Sequence, residues 1–383
     1  MELVAEMLAH HLAAEHGDEF DIELVRPRFV GPRSGNRASL GKRVFNALRL
    51  FNRLVVYPRW IARHRQRFDL FHIVDHSYSH LIHGLPAARC VVTCHDLDTF
   101  RCLLKPKTEA RSAVFRAMTA RILSGFRAAG RVICVSNATR DEILRHALIP
   151  PDRLAVIHNG VAALFSDNSD APADAEFARL LAQHRSGNAY LLHVGGVQPR
   201  KRIDLLIRIL AAACATMPAV SLVRIGGSLD RRERKLAVEL GVADRIVELP
   251  FIERRLLAAA YRGAAALLIP SEAEGFGLPV LEAMACGTRV IASDIPVLRE
   301  VGGAAAEYCR VGDVAAWREA VLAAIGGLKR PDDRERIRHA ALAQASRFSW
   351  SANAAATAET YRAMLEVGAS ERRAGSGFRA GAM

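Results

Sequence analysis

The sequence predicts an α/β protein built from two doubly wound, Rossmann-like domains. From about residue 189, short apolar runs alternate with amphipathic stretches at regular intervals, the pattern of parallel strands covered by helices. The amino-terminal half repeats the alternation less cleanly, and in both halves turn and cap residues stand just after the strands, where such sheets receive their ligands. With 383 residues, 51% apolar and 24% charged, the chain has room for two or three domains with full cores and is not a disordered protein.

Taken in order, the first 20 residues carry acids and histidines where a signal peptide needs a bare apolar run. No apolar stretch reaches the roughly 18 to 20 residues of a bilayer span, so a cytoplasmic protein is expected, at most peripheral on the inner face of the plasma membrane. Between Glu23 and Asp69 stand twelve Lys and Arg and no acid, which accounts for nearly all of the net charge of +13. At 100° per residue, Lys42, Arg49 and Arg53 fall on one side of a helix and Val44, Leu48, Phe51 and Val55 on the other. Such a basic amphipathic helix, with Phe45 and Trp60 nearby, suits an anionic membrane surface contacted through residues 26–67. It equally suits a helix whose apolar face packs on the first sheet while its arginines are solvated. No helix-turn-helix, RNA-recognition or finger signature accompanies the charge, so a nucleic-acid partner is not expected.

Phe71 to Val74, Cys90 to Cys94 and Arg131 to Val135 read as strands of the first domain, residues 1–165. A polar, Pro-containing stretch, Asp167 to Asp174, reads as the linker. In the second domain, 174–348, the strands are Tyr190 to Val194, Ser221 to Ile225, Ile246 to Leu249, Ala265 to Ile269 and Arg289 to Ala292. Ile203 to Ala215, Arg231 to Leu240, Glu253 to Gly263 and Pro279 to Ala285 read as its helices. Asp332 to Phe348 and Trp350 to Glu366 are helical, and the Gly-, Ala- and Arg-rich tail 367–383 reads as disordered. Seven cysteines form no C-x-x-C pair and sit mostly in apolar runs, so they read as small buried hydrophobes rather than disulfides or zinc ligands.

Three segments carry chemistry. In LIPSEAEGFGLPVLE (Leu268 to Glu282), a strand leads into a loop with Glu272 and Glu274, then Gly275-Phe276-Gly277, then Pro279 at the expected helix start. Free N–H groups of a first turn suit a diphosphate, and Glu274 and Glu282 suit vicinal hydroxyls, so the implied ligand is a nucleotide sugar. Glu274 as loop surface and Glu282 as a favourable first-turn acid is an equally simple reading. In HVGGVQPRKR, Gly195 and Gly196 permit close backbone approach, and Arg200 and Lys201 stand at a helix start, where cations oppose the dipole unless an anion is expected. In TCHDLDTF, His95 and Asp96 suit a proton-handling or hydroxyl-binding pair; the alternative makes Asp96 a cap and His95 a half-buried loop histidine.

In this order the segments resemble the retaining nucleotide-sugar glycosyltransferases of family 4, the glycosyl transferases group 1, which have the two-domain GT-B fold. The resemblance runs from His72 to Leu365 through CHDLDTF, VICVSNATRDEI, VIHNGV, HVGGVQPRKRIDLLI and PSEAEGFGLPVLEAMACGTRVIASDIPVLREVGG, where Glu274 and Glu282 form the E-x7-E element. It implies that Glu274 contacts the donor sugar's hydroxyls, with the backbone of Gly275, Phe276, Gly277 and Leu278 around sugar and diphosphate. It assigns the ribose to Glu282, the leaving diphosphate to Arg200 and Lys201, and the base to the backbone near Phe251 and Ile252. His95 would lie beside the transferred sugar, and a helix from Trp350 (349–366) would cross back to the first domain. No metal or cofactor is implied; the donor is expected to be GDP- or UDP-linked and the acceptor a saccharide or lipid-linked hydroxyl of polysaccharide, lipopolysaccharide or glycolipid synthesis. The chain departs from many family members at Gly196, where they carry Arg, so a phosphate contact is either missing or falls to Arg200. The opening MELVAEML is similar to the family's first helix, so a start upstream of Met1 is expected. The competing readings are a GT-B nucleotide-sugar epimerase and a non-catalytic nucleotide-sugar-binding partner subunit.

Overall fold

The computed structural model describes residues 2–26, 28–31, 42–183, 189–327 and 330–375. They form two compact units, Met1–His158 with Ser351–Met383, and Asn159–Trp350.

The first unit is a parallel sheet of four strands in sequence order, β1 (Phe71–Ile73), β2 (Cys90–Cys94), β3 (Arg131–Cys134) and β4 (Leu154–Val156). All five residues of β2 are buried, as a strand covered on both faces requires. Cys90, Val92 and Cys94 join Phe100, Ile122 and Phe126 on one face, while Val91 joins Leu8, Leu12, Ala354, Ala358 and Tyr361 on the other. On that second face, His72 binds Tyr361 Oη at 2.6 Å through Nδ1 and Thr93 Oγ1 at 2.7 Å through Nε2. Beside β1 runs a groove of about 660 Å³ lined by Glu23–Arg26, Leu70–Asp75 and neighbouring apolar residues.

The basic stretch is not one regular helix. Helices Lys42–Phe51 and Tyr57–Arg63 are separated by a π-helical turn, Asn52–Val56. The extra residue of that turn rotates every downstream side chain about the axis, so the 100° arithmetic fails beyond Phe51. The side chain of Asn52 is buried and grips the Val30 backbone from both sides, accepting from its N–H at 2.7 Å and donating to its carbonyl at 2.9 Å. Arg53 lies over the Tyr78 ring at 4.5 Å and binds the Ser77 carbonyl, so it does not share a solvent face with Arg49. Val44 and Phe51 do stay exposed.

The second unit is a six-stranded parallel sheet ordered β10-β9-β8-β5-β6-β7. In chain order these strands are β5 (Tyr190–Val194), β6 (Ser221–Ile225), β7 (Ile246–Leu249), β8 (Ala266–Ile269), β9 (Val290–Ser293) and β10 (Ala306–Cys309). The chain builds outward from β5 to β7, then returns to the other side of β5 to build β8 to β10. The loops after β5 and β8 therefore diverge from one point of the sheet edge, the switch point at which doubly wound folds bind ligands.

Several expected boundaries move. The first unit ends at His158, not 165, and the polar stretch 167–174 lies inside the second unit, where helix Ala171–Gln183 begins. The last helix, Trp350–Gly375, returns to the first unit from Ser351 and continues nine residues past Glu366; the rest of the tail lies outside the described residues. The seven cysteines are unpaired and six are buried.

Helix Ala113–Ala128 packs so closely on the 3₁₀ segment His76–Gly84 that a Cβ on Gly125 would lie 2.1 Å from the Ser79 carbonyl oxygen. Gly125→Ala is therefore expected to cost at least the ~1–3 kcal/mol of overpacking, lowering Tm by several degrees. Gly326→Ala, a helical site with open space around it, is expected to leave Tm unchanged or raised; equal melting of both variants would contradict the packing account.

Candidate functional site

In the second unit, β5 runs into Gly195-Gly196 and then a 3₁₀ turn, Pro199–Lys201. Helix Ile203–Cys214 begins only after Arg202, which takes a left-handed φ of 52° and pairs with Asp204 at 2.9 Å. The basic pair Arg200-Lys201 thus lies outside the helix, and Asp204 supplies its first-turn acid, so the expected conflict with the dipole does not arise.

The loop after β8 meets this turn directly. Glu272 N donates to Arg200 O at 2.9 Å, and Arg200 Nη1 donates to Ala273 O at 2.8 Å. The Glu274 carboxylate takes Lys201 Nζ at 2.6 Å and Arg200 Nη1 at 3.3 Å. All three side chains are 15% exposed or less, so the contacts are charge-assisted bonds away from bulk water, stronger than exposed pairs. Gly277 then turns with φ 101°, a conformation other residues avoid, and caps helix Leu278–Ala285, placing Pro279 at its second position rather than its first. Phe276 is buried edge-on against Phe348.

Glu282 sits in that helix, buried, and accepts a 2.8 Å bond from Tyr261 Oη. It is neither a first-turn acid nor surface. Burial pushes its carboxyl up to about 7, against the pull of the Tyr261 bond and the Arg254 charge. Phe251, just past β7, is an exposed ring lying against Gly226, with the half-buried Ile252 beside it.

In the first unit, His95 and Asp96 each engage a backbone group of their own. The His95 ring is buried and donates from Nε2 to the Val74 carbonyl at 2.7 Å, and burial takes its pKa down to about 4. Such a ring is neutral near pH 7 and suits hydrogen bonding rather than proton transfer. Asp96 accepts from the Asp98 N–H at 3.0 Å, and its Oδ1 lies 3.9 Å from His76 Nε2. His76, Tyr261 and Arg224 are neighbours of the expected residues that no local motif marks, and His193 opens HVGGVQPRKR without having been given a role. Among the described residues, no group of three or more His, Cys, Asp or Glu side chains gathers as metal ligands would.

Residues 176–342 match the family model described as Glycosyl transferases group 1, and residues 1–163 match Glycosyltransferase Family 4. A D-inositol 3-phosphate glycosyltransferase of Mycobacteroides abscessus is 32% identical over 257 residues, covering 64% of this chain and 54% of the relative. The chain thus spans about half the length of several relatives it matches. The O-antigen chain mannosyltransferase B of Escherichia coli is 29% identical over 91% of this chain and 89% of its own. Anabaena HepE, solved with UDP and glucose, superposes with a TM-score of 0.66 at 19% identity, covering 82% of this chain and 83% of that one.

The raised carboxyl of Glu282 predicts a pH dependence of stability. Its folded pKa lies above the unfolded value, so the stability of the neutral form is complete below about 4.5 and is lost as pH rises through about 7. Glu282→Gln is always neutral, so it should gain on wild type across that window, by on the order of 3 kcal/mol. Chemical denaturation from pH 4.5 to 8 measures this; a constant difference between the two proteins would contradict it.

Proposed function

Because the chain belongs to the glycosyl transferases group 1, with a Family 4 amino-terminal half and the GT-B fold, we propose that it moves a sugar from a nucleoside diphosphate to an acceptor hydroxyl with retention at the anomeric carbon. The observation that carries this reading is the Lys201–Glu274–Arg200 cluster at the sheet's switch point. Glu274 supplies the negative charge that the two cations hold. A donor diphosphate competes for the cations, which neutralise the charge it gains as it leaves, and so frees the Glu274 carboxylate to accept from sugar hydroxyls. The glycosyl–phosphate bond breaks, the acceptor oxygen bonds the anomeric carbon on the same face, and its proton passes to the departing phosphate, so no protein base is required. Fixed cations can do the work of a metal here, and the reaction is proposed to be metal-independent. Glu282 is proposed to hold the ribose hydroxyls, the glycine-rich loop backbones the diphosphate, and the Phe251–Ile252 segment the base.

The acceptor class rests on the relatives: one is an O-antigen chain mannosyltransferase, another a D-inositol 3-phosphate glycosyltransferase. A saccharide or lipid-linked hydroxyl of envelope polysaccharide or glycolipid is the proposed acceptor. The exposed Val44 and Phe51, on a helix that carries Arg49 and no acid in its sequence, support peripheral docking on an anionic membrane. Flotation should show the protein on anionic but not neutral liposomes, with loss when Arg49 and Arg59 are changed to Ser. Indifference to lipid charge would remove the membrane assignment.

For the chemistry, a panel of UDP- and GDP-sugars with acceptor is scored by nucleotide release and product mass. Glu274→Ala should lower release by at least about 100-fold, comparable to losing a transition-state contact. Release at near wild-type rate would remove Glu274 from the site, and donor binding without release by wild type would favour a non-catalytic binding subunit.

A further inference from the structure

Arg224 is the fourth residue of β6, on a strand whose five residues are all buried. Its side chain is fully buried and makes one hydrogen bond, Nη2 to the Gly196 carbonyl at 3.3 Å; Nε and Nη1 have no partner. It forms no ion pair among the described residues. The acids whose charges reach it are already engaged: Glu248 binds the Leu229 N–H at 2.6 Å and Arg234, and Glu233 closes the capping box of the next helix. A guanidinium stays charged even when burial lowers its pKa, and an unpaired buried charge is costly unless something else compensates it.

The surroundings say what that compensation is. Arg224 lies beneath the Gly195-Gly196 loop and against Gly227, where a Cβ would stand 3.8 Å from Nη1. Lys201 approaches the same loop, its Cε 3.7 Å from where a Gly195 Cβ would stand. Close to both cations is His193, buried, with neither ring nitrogen partnered and its pKa driven down to about 3 by burial and by the charges of Arg224 and Lys201. Four glycines, Gly195, Gly196, Gly226 and Gly227, keep side chains off the loops, and the last two take φ of 119° and 136°. Two fixed cations and an open backbone make a cradle for an anion.

We propose that Arg224 is a diphosphate-binding residue of this chain, supplying from β6 a positive charge to the anion seated on the Gly195-Gly196 loop, alongside Lys201. This rests on the donor reading above and adds a residue that the loop motifs do not contain. Glycine at 196 matters because its carbonyl takes the one hydrogen bond of the guanidinium and it adds no side chain of its own there.

The test titrates full-length wild type, R224Q and R224K with UDP, GDP, their nucleosides and pyrophosphate. For the better-bound nucleotide, R224Q should weaken the diphosphate by about tenfold or more, as loss of a charged contact does, and change its nucleoside by less than twofold. R224K should recover part of the loss. A general loosening of the fold would weaken nucleoside and nucleotide alike, and that result, or an unchanged diphosphate affinity, overturns the proposal. If R224Q does not fold, the Arg224 Nε–H resonance of wild type, assigned with R224K, is followed during pyrophosphate titration: a saturable shift supports the site and an unmoved signal overturns it. Nucleotide binding that ignores Arg224 would sink this inference and spare the donor reading. Arg224-dependent pyrophosphate binding without any nucleotide binding would do the reverse.

Discussion

The bond between Lys201 Nζ and the Glu274 carboxylate, 2.6 Å long, is the constraint on which the site depends. It joins the loop after β5 to the loop after β8, the two that part company where the sheet reverses its strand order. Arg200 adds a second cation to the same carboxylate, and the Glu272–Arg200 backbone bond ties the loops a second time. Both cations are therefore fixed before any ligand arrives, so binding an anion does not have to order them. Since each partner is largely buried, removing one would strand the other out of water.

Around this cluster burial favours the neutral forms of two titratable groups of the second unit. His193 is driven well below neutrality, and Glu282 is held near it by burial against Tyr261. Charge persists where guanidinium or ammonium groups stand beneath glycine-rich backbone. The glycines are structural requirements: a Cβ on Gly226 would lie 2.4 Å from the Gly195 carbonyl oxygen, so the two loops approach this closely only without it. Sequence, local geometry and electrostatics thus converge on one surface, at the carboxyl ends of β5, β6 and β8.

Much of this was legible in the sequence because it is local. Strand β2 and strands β5 to β7 begin and end where their apolar runs do, and the turn residues after them mark the loops. Glu274, Arg200 and Lys201 stood out by motif, and the structure brings them together. What stayed hidden depends on distant partners. The Tyr261–Glu282 bond spans 21 residues, and no periodicity announces it. Arg224 sits in a run that reads as an ordinary buried strand, and only the sheet shows that its guanidinium meets Gly196. One inserted residue at Asn52–Val56 undid the helical arithmetic of the basic stretch, and the 3₁₀ segment from His76 brings that ring to 3.9 Å from Asp96, a contact between residues far apart in the chain.

A double-mutant cycle on Lys201 and Glu274, using Lys201→Met and Glu274→Gln, measures the central interaction most directly. Stability of the four proteins gives the coupling in free protein, and its change with saturating nucleoside diphosphate shows whether the ligand competes for the pair. The account predicts a free-state coupling well above the ~0.5 kcal/mol of an exposed pair, and a marked fall when the diphosphate binds. A coupling near zero in the free protein, or one that nucleotide leaves unchanged, would contradict it.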